Sequence, residues 1–193
     1  MNHNKTSVMT LIALFTAVTC ILGPLAIPLP FSPVPITFTN LAIYFTVYLC
    51  GMKKGTISYL LYLMVGFIGV PVFSGFSAGP AKLLGPTGGY LIGFIFLALI
   101  TGYFADRFQG KRPAYLAGMT IGTLILYLFG TAWLAYQAGL TFEAALFAGV
   151  IPYIPGDLIK MGIAASLAPV IRRRLEKTGY LSDSRATFDE PRR

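Results

Sequence analysis

The sequence predicts an all-α integral membrane protein with six transmembrane helices, both termini on the cytoplasmic side, and a partly irregular outer loop between the third and fourth spans. Three observations carry this reading. Of the 193 residues, 55% are hydrophobic and only 11% are charged, with a mean hydropathy of +0.71. Soluble domains carry about 25% charged residues, so the charge available cannot cover a water-exposed surface. The 15 Phe and 11 Tyr make the chain equally unsuited to solvated disorder. Apolar stretches near the roughly 20 residues that cross a bilayer recur along the chain. Finally, basic residues gather at alternate ends of those stretches.

The first span covers 8–25 and ends in the proline-rich connection Pro28-Leu29-Pro30-Phe31-Ser32-Pro33-Val34-Pro35. It runs on through Gly23-Pro24-Leu25-Ala26 into further apolar sequence without a cleavage signature, so it reads as a span and not a signal peptide. The second covers 36–51 and stops at Lys53-Lys54; the third covers 55–70. A Gly- and Pro-rich outer segment, 71–85, leads into the fourth span, 86–105, which ends in Asp106-Arg107-Phe108-Gln109-Gly110-Lys111-Arg112. The fifth covers 113–137 and the sixth 143–170, followed by Arg172-Arg173-Arg174. Residues 1–177 thus read as one membrane domain and 178–193 as a polar cytoplasmic tail.

With six spans, one side of the membrane receives Lys5, Lys53, Lys54, Arg107, Lys111, Arg112, Arg172, Arg173, Arg174, Lys177, Arg185, Arg192 and Arg193. The bias of Lys and Arg toward cytoplasmic loops makes that side the cytoplasm, and the protein a multi-pass component of the cell membrane. The same distribution explains the net charge of +8 without nucleic acid, since the basic residues are split among short loops and not gathered on one face. Cys20 and Cys50 lie 30 residues apart in apolar stretches, and the single histidine is His3, so no metal cluster or cofactor site is expected.

Two charges fall well inside a span, and they fall together: Asp157 and Lys160, in Pro152-Tyr153-Ile154-Pro155-Gly156-Asp157-Leu158-Ile159-Lys160. Each costs roughly 2.5–3.5 kcal/mol near the middle of a membrane helix, so the pair calls for a reason. Three residues apart, they share a helix face. At 1.5 Å per residue Asp157 lies ~22 Å from Arg172, toward the outer side of the bilayer. Pro152, Pro155 and Gly156 predict a kinked or broken helix, which membranes tolerate where it lines a cavity. The bland alternative is a structural ion pair. Thr37, Thr39 and Asn40, near the outer end of the second span, are the polar candidates to face Asp157. The segment 71–85 is too glycine-rich for a span and too apolar for an ordinary loop; it reads either as a lid carrying Phe73 and Phe76 or as a packed re-entrant connection. Small-xxx-small pairs, at Ala13/Ala17, Gly89/Gly93 and Gly118/Gly122, allow close helix approach. Gly85-Pro86-Thr87-Gly88-Gly89 lacks the Gly-Lys-Ser/Thr ending of a phosphate loop.

Three motifs, Pro33-Val34-Pro35-Ile36-Thr37, Gly85-Pro86-Thr87-Gly88-Gly89-Tyr90 and Gly156-Asp157-x-x-Lys160, occur in the order and on the elements that make this chain resemble the BioY family, the biotin-specific substrate-binding (S) components of energy-coupling-factor (ECF) vitamin transporters. The resemblance spans roughly Thr10 to Arg174. It implies high-affinity capture of biotin from outside, and association with a transmembrane coupling (T) protein and two ABC-type ATPases that power uptake. It further implies that Ala13-Leu14-Phe15-Thr16-Ala17 matches the family's Ala-x-x-x-Ala contact with the coupling protein. In this chain Thr39 stands where many relatives carry Gln, next to Asn40, so either residue can supply that ligand contact. On this reading Asp157 accepts from the ureido N–H groups, and Lys160 donates to the ureido oxygen or the carboxylate. Asn40 does both, while Tyr90, Phe73 and Gly89 line the apolar part. Lys82 attracts the valerate carboxylate near the mouth.

Nothing in the sequence supports an enzyme: no Ser/His/Asp set, metal cluster or Walker motif is present. The rival reading is a stand-alone proton-coupled secondary transporter of a small organic solute using Asp157, and a third is a scaffold whose ion pair is only structural.

Overall fold

The computed structural model describes residues 3–30, 32–108 and 111–177; the expected polar tail, 178–193, lies outside them. Its elements run α1 (His3–Leu22), β1 (Ala26–Leu29), β2 (Ser32–Thr37), α2 (Thr39–Cys50), α3 (Met52–Phe67), α4 (Pro80–Leu84), α5 (Gly88–Arg107), α6 (Arg112–Ala138), α7 (Phe142–Gly149), a short 3-10 turn at Ile151–Tyr153, and α8 (Ile154–Lys177). Among the described residues, three stretches are long and apolar enough to cross a membrane: Gly88–Arg107, Arg112–Ala138 and Phe142–Lys177. Thr6–Leu22 and Thr39–Cys50 are shorter apolar helices.

The fold departs from the purely helical expectation at the proline-rich connection, which forms an antiparallel hairpin with Ala26 opposite Thr37 and Ile27 opposite Ile36. Both strands of a two-stranded ribbon are edges, where proline's missing N–H is tolerated. The register slips between Ile27 and Leu29, at Pro28, where a ladder donor is lacking. The segment 71–85 is likewise not a free lid. It contains α4 and a tight turn closed by Phe73 N–H donating to Ser77 O at 3.0 Å. Tyr62 Oη donates to Val72 O at 3.0 Å, and Gly75 N–H to Pro24 O at 3.1 Å.

The helices register on one another through glycines and tyrosines. Gly93 of α5 lies against Leu126, while Gly118 and Gly122 of α6 lie against Phe104 and Leu97, so the small-residue pairs at these positions close α5 onto α6. Tyr44, Tyr59, Tyr62 and Tyr115 are fully buried, and three of them donate to backbone carbonyls: Tyr59 to Leu91 O, Tyr62 to Val72 O and Tyr115 to Tyr44 O. Tyr44 pairs with Thr123 Oγ1 at 2.6 Å. A buried phenol needs a partner, and in a low-dielectric interior each such bond fixes position as well as energy. At the other end of the bundle the Asp106 carboxylate accepts the Met52 N–H at 2.7 Å, satisfying a donor at the start of α3. Lys54, read as a surface stop signal, is buried in that first turn.

On α1, Thr16 and Thr19 turn inward, Thr16 Oγ1 meeting Ser58 Oγ at 3.1 Å, while Ala13 and Ala17 are exposed on the outward side. Phe73 is fully buried, its ring seated over Gly66, where an added Cβ would stand 2.1 Å from Cζ. Replacement Gly66→Ala is therefore expected to cost about 1–3 kcal/mol by overpacking. Thermal unfolding in detergent should register this as a lower midpoint, part of which returns in the Gly66→Ala/Phe73→Leu double variant.

Candidate functional site

The break between α7 and α8 sets the site. Thr141 caps α7 by accepting the Ala144 N–H at 3.2 Å, and α7 ends after Gly149. The 3-10 turn with Pro152 carries the chain to a new helix start at Ile154, so Asp157 falls in the first turn of α8. There the free N–H groups and the positive end of the helix dipole favour a carboxylate. Lys160 follows one turn later on the same face, and the two form an ion pair of 3.0 Å.

Around this pair the described residues close a dense network. Asp157 Oδ1 accepts from Asn40 Nδ2 at 2.8 Å and from Lys160 Nζ at 3.0 Å, while Oδ2 accepts from Tyr127 Oη at 2.5 Å. Lys160 also donates to Thr37 O at 2.6 Å and to Asn40 Oδ1 at 3.2 Å. Asn40 Oδ1 additionally accepts the Leu41 N–H at 3.0 Å. An ammonium has three N–H donors, and all three of Lys160 are in use. A carboxylate offers about four lone-pair positions, of which three are filled, leaving one on Oδ2. Asn40 keeps one N–H. The polar end of the site therefore has one acceptor and one donor to spare, the pattern that an N–H and C=O of a cyclic amide or urea would meet.

Asp157, Lys160, Asn40, Thr39 and Tyr90, five of the residues singled out from sequence, line one cavity. Its apolar wall comes from Leu91, Phe94 and Leu126. Tyr90 Oη donates to Gly149 O at 3.0 Å; its ring fits against Gly130, where a Cβ would come within 2.4 Å of it, and its hydroxyl lies over Gly149, where a Cβ would come within 2.1 Å. Tyr153 closes the hairpin side, its single hydroxyl proton directed at Val34 O with Ser32 Oγ 2.8 Å away. Three other expectations are not met by the cavity wall. Phe73 is spent on packing over Gly66 and against Tyr62, with which it makes an edge-on contact at 5.5 Å. Gly89 admits the Trp133 side chain, whose Cβ would lie 2.2 Å from an added Cβ. Lys82 sits on α4 off the cavity, where partial burial lowers its pKa from the ordinary value. Sequence reasoning did not single out Tyr127 or Tyr153 for the site, because a tyrosine in an apolar helix or beside a proline turn carries no mark of what its hydroxyl meets.

Removing one member of a buried ion pair strands the other, at about 3–5 kcal/mol. Lys160→Met should accordingly unfold at a markedly lower temperature than wild type. Adding Asp157→Asn to it should restore stability, since no bare carboxylate then remains; thermal unfolding of the ligand-free variants measures both.

Comparison with known proteins places this architecture. The family model for the BioY family matches residues 1–177. "Biotin transporter BioY" of Rhizobium etli is 40% identical over 172 residues, covering 84% of this chain and 91% of the relative. "Biotin transporter BioY" of Lactococcus lactis subsp. cremoris is 36% identical over 184 residues, covering 92% and 95%. The crystal structure of the S-component for biotin from an ECF-type ABC transporter matches with a TM-score of 0.81 at 34% identity, over 92% of this chain and 94% of that one. With a family match across the helical domain, relatives covered almost end to end and the same fold in a solved structure, this multi-pass membrane chain belongs to the BioY family.

Proposed function

We propose that this protein is the biotin-binding S component of an ATP-driven ECF-type uptake transporter, capturing biotin at the outer face of the cell membrane. The observation that carries the reading is the buried Asp157–Lys160–Asn40–Tyr127 network at one end of a cavity with an apolar wall. Biotin's ureido ring offers N–H groups and a carbonyl, and its thiophane ring is apolar. The open lone pair of Asp157 Oδ2 suits a ureido N–H, and charge-assisted bonds of this kind are the strong ones. The spare N–H of Asn40 suits the ureido oxygen. Lys160, whose donors are all engaged, acts by fixing and neutralising Asp157. Leu91, Phe94, Leu126 and the Tyr90 ring enclose the thiophane.

Six crossings are proposed: α1, α2, α3, α5, α6 and the broken α7–α8 pair, with both ends cytoplasmic. The basic residues at the ends of α5 and α8 and at the starts of α3 and α6 support this orientation. Transport draws its energy from a transmembrane coupling protein and two ABC-type ATPases. The small, exposed Ala13 and Ala17 of α1 are the proposed contact with the coupling protein, since small side chains let helix backbones approach closely.

Calorimetric titration of biotin into the detergent-solubilised protein tests the ligand. One-to-one binding is expected, weakened at least about 30-fold by Asp157→Asn, because loss of a buried charge contact costs roughly 2–5 kcal/mol. Folded wild type that takes up no heat from biotin defeats the proposal. Ala13→Trp/Ala17→Trp should keep the affinity for biotin and lose co-purification with the coupling protein. Uptake by cells should survive dissipation of the proton gradient while ATP is maintained; its collapse would favour a secondary carrier.

A further inference from the structure

The connection between α3 and α5 presents a surface that the binding site does not account for. From Lys54 to Asp106 the chain carries one charge, Lys82, so the stretch 68–81 carries none. A connection bathed in water would hold about one charged residue in four. The side chains exposed here are instead apolar: Ile68 is 75% exposed and Phe76 68%, with Phe67, Val70 and Leu84 exposed beside them. Phe76 does not line the cavity. Among the described residues it is also the non-glycine residue at positive φ, 56°, a conformation that L side chains avoid. In water that position would combine backbone strain with a bare ring; against acyl chains the ring is stabilised.

The length of α3 sets the depth. Its 16 residues rise about 24 Å, short of the roughly 30 Å hydrocarbon core. With Lys53 at the cytoplasmic boundary, Phe67 stops about 6 Å inside the outer edge of that core, and the residues that follow fill the remaining layer. The exposed stripe of α3, Ile57, Leu61, Met64 and Phe67, continues without a break into Ile68 and Val70. Backbone outside a helix is tolerated at this depth only where its polar groups are met by protein. Most of these N–H groups are so met. Those of Gly69 and Gly79 both donate to Gly66 O, at 3.2 and 2.8 Å, that of Val70 to Val65 O at 3.2 Å and that of Val72 to Val70 O at 2.8 Å. Phe73 and Gly75 donate as described above, and Pro71 and Pro80 have no N–H to satisfy. The others fall in the turn 74–78, whose Ser74 and Ser77 suit the headgroup level.

We infer that the segment 68–84 is a lipid-binding surface, seated in the outer leaflet where headgroups meet acyl chains, with Ile68 and Phe76 as its apolar anchors. This rests on the six crossings proposed above and not on the identity of the ligand. Ser74, in the same turn as Phe76, lines the cavity, so this rim of the site sits at headgroup level and not in the aqueous phase.

The test is tryptophan fluorescence in phosphatidylcholine vesicles whose acyl chains are brominated either near the headgroup or near the chain end. Replacing the chain's single tryptophan, Trp133→Phe, gives a dark background. On it, Phe76→Trp should be quenched at least about twofold by the shallow bromines, less by the deep ones, and little by aqueous iodide, as for an interfacial aromatic. Ile68→Trp, on the same surface but without the strained backbone, should behave alike. Leu61→Trp, near the middle of α3, should respond most to the deep bromines. Unfolding midpoints close to that of Trp133→Phe alone show that each variant is folded, whatever ligand the site takes. Tryptophans at 76 and 68 that meet iodide and neither lipid, while Leu61→Trp meets the deep bromines, overturn the inference and leave the crossing of α3 intact. A Leu61→Trp that also meets iodide and no lipid overturns that crossing, and the inference with it.

Discussion

Everything in the site depends on one constraint: a carboxylate and an ammonium held one helical turn apart away from water, each of which must be met by protein. The pair at Asp157 and Lys160 is tolerable only because α8 begins where it does, giving Asp157 the positive end of a helix, and because other parts of the chain supply the remaining partners. Asn40 comes from α2, Tyr127 from α6 and the Thr37 carbonyl from the end of β2. Satisfying two charges thus fixes the hairpin and three helices against one another. The break after α7, with Pro152 and Pro155, is what frees a helix N-terminus for this use.

The tyrosines extend the same logic through the bundle. Phenols that donate to carbonyls of a neighbouring segment each select one axial position of two elements. Interhelical hydrogen bonds in membranes average only about 0.6 kcal/mol, so a few of them add little strength. Their larger effect is on register, because a one-residue slide would leave both hydroxyl and carbonyl without partners in a dry interior. Tyr90, anchored on Gly149, holds the end of α7 against α5 next to the cavity.

The parts of this design that were legible in the sequence are those that violate the chemistry of a membrane interior. Asp157 and Lys160 stand out because charge there is costly, and Asn40 because it is the amide nearest the same level. Pro152, Pro155 and Gly156 disclosed the break for a similar reason. Residues of ordinary membrane type were not legible. Tyr127 is indistinguishable by sequence from a phenol at the lipid interface, though its hydroxyl lies 2.5 Å from Asp157. Phe73 amid glycines reads equally as a lid or as a plug, and only the fit of its ring over Gly66 decides for the plug. The hairpin was hidden because four prolines in ten residues argue against a strand unless both strands are edges.

Saturation of the network limits how it can recognise anything. A ligand group that took an N–H from Lys160 would have to displace Thr37 O, Asn40 Oδ1 or Asp157 Oδ1, and each loss exposes a buried polar atom. A ligand that uses the vacant lone pair of Asp157 Oδ2 and the spare N–H of Asn40 displaces nothing. The second course keeps β2 tied to α8 through the Lys160–Thr37 bond, with Tyr153 holding the same strand at Ser32 and Val34. A site that is already organised before its ligand arrives spends little of the interaction on ordering side chains.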